Sequence, residues 1–183
     1  MLFNSLEFFF FYLAVFVASH GLVLVRAWSA HKLLLLAASY AFYMAWNPPF
    51  VLLLIMSTAI DFVAAGQIAA ATRSGTRRAW LALSIAGNLG LLGYFKYGVF
   101  VAENLAWLGA GLPPVPAVIL PLGISFYTFQ SMSYTIDVYR GAITPHRRPV
   151  DFALYVAFFP QLVAGPIVRA AQDRKSTRLN SSH

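Results

Sequence analysis

LLLLAASYAFYMAWNPPFVLLLIMSTAI, residues 33–60, contains no charged residue. A helix crosses the hydrocarbon core of a bilayer in about 20 residues, so this run is too long for one straight span. Its middle supplies the break. Pro48 and Pro49 have no N–H to donate, and Pro48 pushes Asn47 out of the helical region. The stretch reads as a helix from Lys32 to Trp46, a tight turn, and a second helix from Phe50 to Ala71. Tyr40, Tyr43 and Trp46 suit the aromatic belt at a membrane face. Two membrane helices back to back decide the class, an all-α polytopic membrane protein.

The composition agrees. Of 183 residues, 60% are hydrophobic, 16% aromatic and 10% charged, and the mean hydropathy is +0.69. A soluble domain carries about 25% charged residues, and one of this size leaves too much surface wet to hide so much apolar area. Soluble enzymes and disordered chains are excluded together. Cysteine is absent, which removes disulfides, thiolate metal sites and a cysteine nucleophile. The formal charge of +7 fits basic loops gathered on one membrane face. No basic stretch interleaves with exposed aromatics as nucleic-acid binding requires, so the partner implied by composition is the lipid bilayer and not nucleic acid.

Working outward, Phe8 to Val25 holds no charge and reads as a first span. Glu7 in front of it and the lack of a small-residue cleavage site argue against a signal peptide. Thr72–Arg78 is a basic loop, followed by a helix from Ala79 to Tyr97 that can continue to Leu108. Gly109–Pro116 is a Gly/Pro loop, and a fifth helix is expected from Ala117 to Tyr139, with Pro121 in its first turns, where a missing donor costs least. Phe152–Val168 contains Pro160 and Gly165-Pro166. Such a run predicts a re-entrant or broken segment, buried in protein or lining a cavity. The expectation is about five transmembrane helices plus that segment.

Charge tests the layout. With the N-terminus outside, one face receives Arg26, Lys32, Arg73, Arg77, Arg78, Arg140, Arg147 and Arg148, while the other receives Lys96. That asymmetry marks the basic loops as cytoplasmic, and Arg169 joins them if the broken segment re-enters. Residues 173–183 are polar and aperiodic, and are expected to be a non-native tail.

The motifs then carry a resemblance. MLFNSLEF at 1–8, SYAFY at 39–43, WNP at 46–48, STAID at 57–61, GYFKY at 93–97, LPLGISFYTFQ at 120–130, YTIDVYR at 134–140 and FFPQLVAGPI at 158–167 occur in order. Together they resemble the N-terminal part of the membrane-bound O-acyltransferase (MBOAT) family. The similar branch contains the alginate O-acetylation and teichoic-acid D-alanyl transfer proteins. The resemblance implies that residues 1–172 are the incomplete front of a helical ring in a bacterial plasma membrane. It also implies transfer of an acetyl or other acyl group from a cytoplasmic donor, an acyl-CoA or acyl carrier acting as co-substrate, to hydroxyls of a cell-surface polysaccharide. A periplasmic or extracellular acetyltransferase is the implied partner, and no resident cofactor or metal is implied. The family's catalytic histidine is matched by none of His20, His31, His146 and His183. This chain alone is therefore expected to be inactive.

Residue by residue, His20 reads as interfacial packing, and His31 and His146 as solvated loop residues. Gly123-Ile124-Ser125-Phe126-Tyr127 fails as a nucleophile elbow, since Tyr127 stands where Gly is needed. Polar groups inside a membrane are costly and so face partners or cavities; here these are Asp61, Asn88, Gln130, Asp137 and Gln161. Asp137 and Arg140 are spaced to form a structural ion pair. Gln130 and Gln161 are placed to hydrogen-bond a carbonyl or hold a broken backbone. With Gly165, Pro166 and Arg169 they are the candidate substrate or tunnel residues. Two alternatives stay open, D-alanyl transfer to a teichoic acid and a polytopic transporter subunit using Asp61 and Asp137.

Overall fold

The computed structural model describes residues 5–107, 120–121 and 123–164. Among these the secondary structure is helical, with no strand. Helix α1 (Leu6–Leu24) starts on Ser5, whose hydroxyl accepts the Phe8 N–H at 3.2 Å. It ends where Arg26 adopts φ 56°, with the Arg26 and Ala27 N–H groups donating back to Val23 and Leu22 at 3.0 and 2.9 Å. That paired return is the Schellman closure, a position usually given to glycine.

Helices α2 (Trp28–Trp46) and α3 (Phe50–Ala70) flank the Asn47-Pro48-Pro49 turn where the sequence puts it. Helix α4 (Ser74–Leu92) takes in Arg77 and Arg78, which the sequence predicts in a loop. A first helical turn tolerates polar residues, so charge did not mark the boundary. A π-helical turn (Gly93–Tyr97) joins α4 to α5 (Gly98–Trp107). Helix α6 (Ile124–Tyr139) begins well after the expected Ala117. Gly123 at φ 68° sets its start, and Pro121 lies outside it. Helix α7 (Pro149–Ala157) stops at Phe158, and α8 (Phe159–Ala164) restarts at once. The break is real, and its centre is Phe158.

Among the described residues, three helices are long and apolar enough to cross a membrane: Leu6–Leu24, Phe50–Ala70 and the α4–α5 rod, Ser74–Asn104. Helix α6 has 16 residues, about 24 Å at 1.5 Å per residue, against a hydrocarbon core of about 30 Å.

The main core lies between α3, α4, α6 and α7, around Leu54, Ile68, Tyr127, Tyr134 and Phe152. A smaller cluster of Ala38, Phe42 and Phe159 receives Phe8, Phe11 and Val15 from α1, none of whose residues is fully buried. In lipid the hydrophobic effect does not press helices together; close packing and interhelical hydrogen bonds do. The second kind is plentiful here.

Candidate functional site

Two polar arrangements sit among the apolar helices. The first surrounds Asp61 on α3, which is fully buried. Its carboxylate accepts hydrogen bonds from Ser84 and Ser131 and two from Asn88, the latter at 2.9 and 2.8 Å. Asn88 Oδ1 in turn accepts from Ser57 at 2.9 Å, and its Nδ2 also reaches the Ser84 carbonyl at 2.9 Å. The groups facing the carboxyl are hydroxyls and an amide from α4 and α6, so its oxygens are met by hydrogen bonds. Among the described residues the ion pair lies elsewhere, between Lys32 and Asp151 at 2.7 Å.

The second arrangement holds the α7–α8 break. In an unbroken helix the Phe159 N–H would donate to the Tyr155 carbonyl, four residues back. Pro160 prevents continuation, because it lacks an N–H and its ring would clash with the Val156 carbonyl. The two halves of the lost bond are met separately. Gln130 on α6 donates its Nε2 to the Tyr155 carbonyl at 2.7 Å, and Ser39 on α2 accepts the Phe159 N–H at 3.3 Å while donating to the Leu35 carbonyl at 2.7 Å. Gln130 is fully buried, and its Oε1 has no hydrogen-bond partner among the described residues. The site thus pairs a satisfied carboxylate with a buried amide oxygen still able to accept a proton donor.

The candidates named from sequence divide accordingly. Gln130 lies at the break and bonds a freed carbonyl. Gln161 is half-buried and only its backbone takes part, donating to the Phe158 carbonyl at 3.0 Å; the expected bonding partner of the break is supplied by Gln130 and Ser39. Gly165, Pro166, Arg169 and the polar tail 173–183 fall outside the described residues. The expected Asp137–Arg140 ion pair does not form. Arg140 is the exposed C-cap of α6, at the point where the chain turns away through Gly141 at φ 72°.

The histidines also depart from expectation. His31 lies in the first turn of α2, with Nε2 2.8 Å from Ser19 Oγ on α1. His146 is half-buried against the rings of Tyr134, Phe152 and Tyr155, and its backbone N–H donates to the Tyr134 hydroxyl at 2.8 Å. Reading the loop by composition missed both. Ser39, Ser84 and Ser131 were missed as well. A signal existed for part of the set, because Ser57/Asp61 and Ser84/Asn88 are each four apart, which puts each pair on one face of an apolar helix.

At the end of the bundle bearing the basic loops, Arg77 Nη2 donates to the Tyr139 carbonyl at 2.6 Å, with the guanidinium 5.3 Å from that residue's ring. The start of α4 is thereby pinned to the end of α6, and Arg73, Arg78, Arg140, Arg147 and Arg148 are left exposed.

This arrangement of helices and motifs can be set beside known proteins. The chain is 42% identical over 174 residues to a probable alginate O-acetylase of Pseudomonas syringae pv. tomato, and 41% identical to that of Pseudomonas aeruginosa, in each case over 92% of its length. It is 32% identical to a peptidoglycan O-acetyltransferase of Helicobacter pylori, over 94% of its length. Over nearly its whole length the chain is a homologue of these O-acetylating proteins. It spans 33% of the length of those two Pseudomonas relatives and 38% of the Helicobacter one. No family model and no solved structure matches it. Among the described residues, the Asp61 cluster and the α7–α8 break are two places where the helices commit polar chemistry to the interior.

Proposed function

We propose that the chain forms the N-terminal helices of a bacterial membrane O-acetylase, which moves an acetyl group from a cytoplasmic donor to hydroxyls of a cell-surface polysaccharide. The observation that carries this is the identity of 41–42% across 92% of the chain to probable alginate O-acetylases. The Helicobacter relative acts, by its name, on peptidoglycan; alginate and peptidoglycan share sugar hydroxyls as acceptors. An acyl-CoA or acyl carrier serves as donor, and an extracytoplasmic acetyltransferase as partner.

In this reading the helices scaffold a reaction centre carried by other residues. The described histidines are engaged in packing: His31 bonds Ser19, His146 stacks among aromatic rings, and His20 lies against Phe16 with centroids 6.3 Å apart. Five spans, with the N-terminus outside and α7–α8 re-entering from the cytoplasmic face, complete the proposal. Supporting it are the one-sided loop charges and the way Gln130 and Ser39 satisfy the break from within the bundle.

A chimera tests the reading. Residues 5–164 replace the matching segment of the Pseudomonas aeruginosa relative, in cells lacking that protein. Acetylation of secreted alginate should return. A chimera present in the membrane at the normal level that leaves alginate unacetylated would overturn it.

A further inference from the structure

Four arginines gather where α4 begins and α6 ends. Arg77 Nη2 donates to the Tyr139 carbonyl at 2.6 Å, and its guanidinium lies 5.3 Å from the Tyr139 ring. That contact fixes three neighbours. Arg78 follows Arg77, Arg73 stands one turn before it with its carbonyl accepting the Arg77 N–H at 3.2 Å, and Arg140 follows Tyr139 as the C-cap of α6. All three are exposed. Among the described residues none of them forms an ion pair: Asp151 is held by Lys32 at 2.7 Å, and Asp137, on the last turn of α6, pairs with no arginine.

Like charges drawn together repel, and here the tie between α4 and α6 holds them in place. The charge asymmetry that orients a membrane protein depends on how many cations lie in a loop and asks nothing of their packing. A fixed set of arginines is a different feature, because each guanidinium is a planar fork that fits a phosphate. An anion among Arg73, Arg78 and Arg140 would relieve their repulsion.

The side of α4 leading away from Arg78 is the second, independent observation. Arg78, Ala82, Ala86 and Gly90 are each four apart, so they share one side of the helix, and all are exposed. A Cβ on Gly90 would meet no atom within 4 Å. Leu83 and Leu89 stand exposed beside this strip of small residues, which makes it a shallow apolar groove. From Arg78 to Gly90 it runs about 18 Å at 1.5 Å per residue. One leaflet of a hydrocarbon core of about 30 Å is about 15 Å deep.

We propose that this face binds an anionic phospholipid of the surrounding bilayer, its phosphate among Arg73, Arg78 and Arg140 and an acyl tail along Ala82, Ala86 and Gly90. Charge complementarity selects the headgroup, and the length of the groove selects the tail. Arg73 is the N-cap of α4 and Arg140 the C-cap of α6, so both stand at the ends of their helices, at the depth of lipid headgroups. A soluble nucleotide would use the cations alone and leave the groove empty. The proposal needs only the bilayer, and it stands apart from the acetyl-transfer reading.

The test uses the full 183-residue chain, reconstituted in bilayers of equal phosphatidylglycerol and phosphatidylcholine, then extracted in mild detergent and weighed by native mass spectrometry. The wild-type chain should retain phosphatidylglycerol in preference to phosphatidylcholine. Arg78→Gln should lower that preference about fivefold, the loss expected when one cation near an anionic headgroup is removed. Combining it with Arg73→Gln and Arg140→Gln should abolish the preference while the unfolding temperature holds. Arg26→Gln, on the α1–α2 turn, should leave the ratio as it is. A drop there equal to that of Arg78→Gln would mean that net charge selects the lipid, and would overturn the proposal. So would equal retention of the two lipids by the wild-type chain, or displacement of phosphatidylglycerol by inorganic phosphate or coenzyme A, which carry the anion without the tails. A disulfide dimer of Ala86→Cys that retains no lipid would give the groove to a second copy of the chain, and would overturn it as well.

Discussion

Asp61 gathers four hydrogen bonds from three residues on two other helices, and its replacement exposes what each is worth. Interhelical hydrogen bonds in membrane proteins average about 0.6 kcal/mol, so Asp61→Leu should cost about 2.5 kcal/mol, and more if the abandoned Ser84, Ser131 and Asn88 find no new partners. Asp61→Asn keeps the shape and part of the bonding and should cost less. Reversible unfolding in mixed micelles measures both, and an Asp61→Leu variant as stable as wild type would show that the cluster contributes nothing to holding α3, α4 and α6 together. Arg26→Gly is expected to move stability the other way, by up to about 1 kcal/mol, because glycine enters the left-handed region without penalty.

At the scale of elements, the α7–α8 break depends on two side chains that each satisfy half of one missing backbone bond. Ser39→Ala strands the Phe159 N–H and should speed its hydrogen exchange, while the amides of α7 stay protected. Gln130→Leu strands the Tyr155 carbonyl instead, at about 1–3 kcal/mol. If both variants leave exchange at Phe159 and overall stability untouched, the break is held by packing alone. The existence of this break was legible in Pro160, as the α2–α3 turn was in Pro48 and Pro49, because proline acts on its own backbone and needs no context. Its partners were harder to read. Gln130 and Gln161 looked alike in sequence, both amides among aromatics, and only the packing of α6 beside α7 assigns the carbonyl to Gln130. The starts of α4 and α6 were misjudged for a related reason. Arg77 is helical because Tyr139 offers its carbonyl and ring, and α6 waits for Gly123, which turns the chain in a conformation that composition does not reveal.

For the whole molecule, the basic ends of α4 and α6, tied by Arg77, define one face of the bundle. The chain contains no cysteine, so single cysteines can report orientation directly. Ser74→Cys and Pro145→Cys should be shielded from an impermeant thiol reagent in intact cells, and Pro48→Cys should react. Labelling of Ser74→Cys from outside would reverse the proposed topology. The chain by itself is expected to transfer no acetyl group to polysaccharide, since its described histidines are occupied in packing. Turnover by the purified 183-residue protein would return His20, His31 and His146 to consideration as general bases.

The Asp61 cluster also bears on how the molecule is made. A ribosome delivers α3 to the membrane before Ser131 has been synthesised, and a lone Asp at the centre of a helix resists insertion by about 2.5–3.5 kcal/mol. Ser84 and Asn88 arrive on the very next helix, 23 and 27 residues after Asp61, so α3 and α4 can leave the translocation machinery as a prepaired hairpin with the charge already covered. Helix α6, rich in hydroxyls and short for a bilayer, comes later to a slot whose carboxylate awaits Ser131. Order of biosynthesis and order of assembly then coincide, and a mutation in α4 would be felt first as failed insertion of α3.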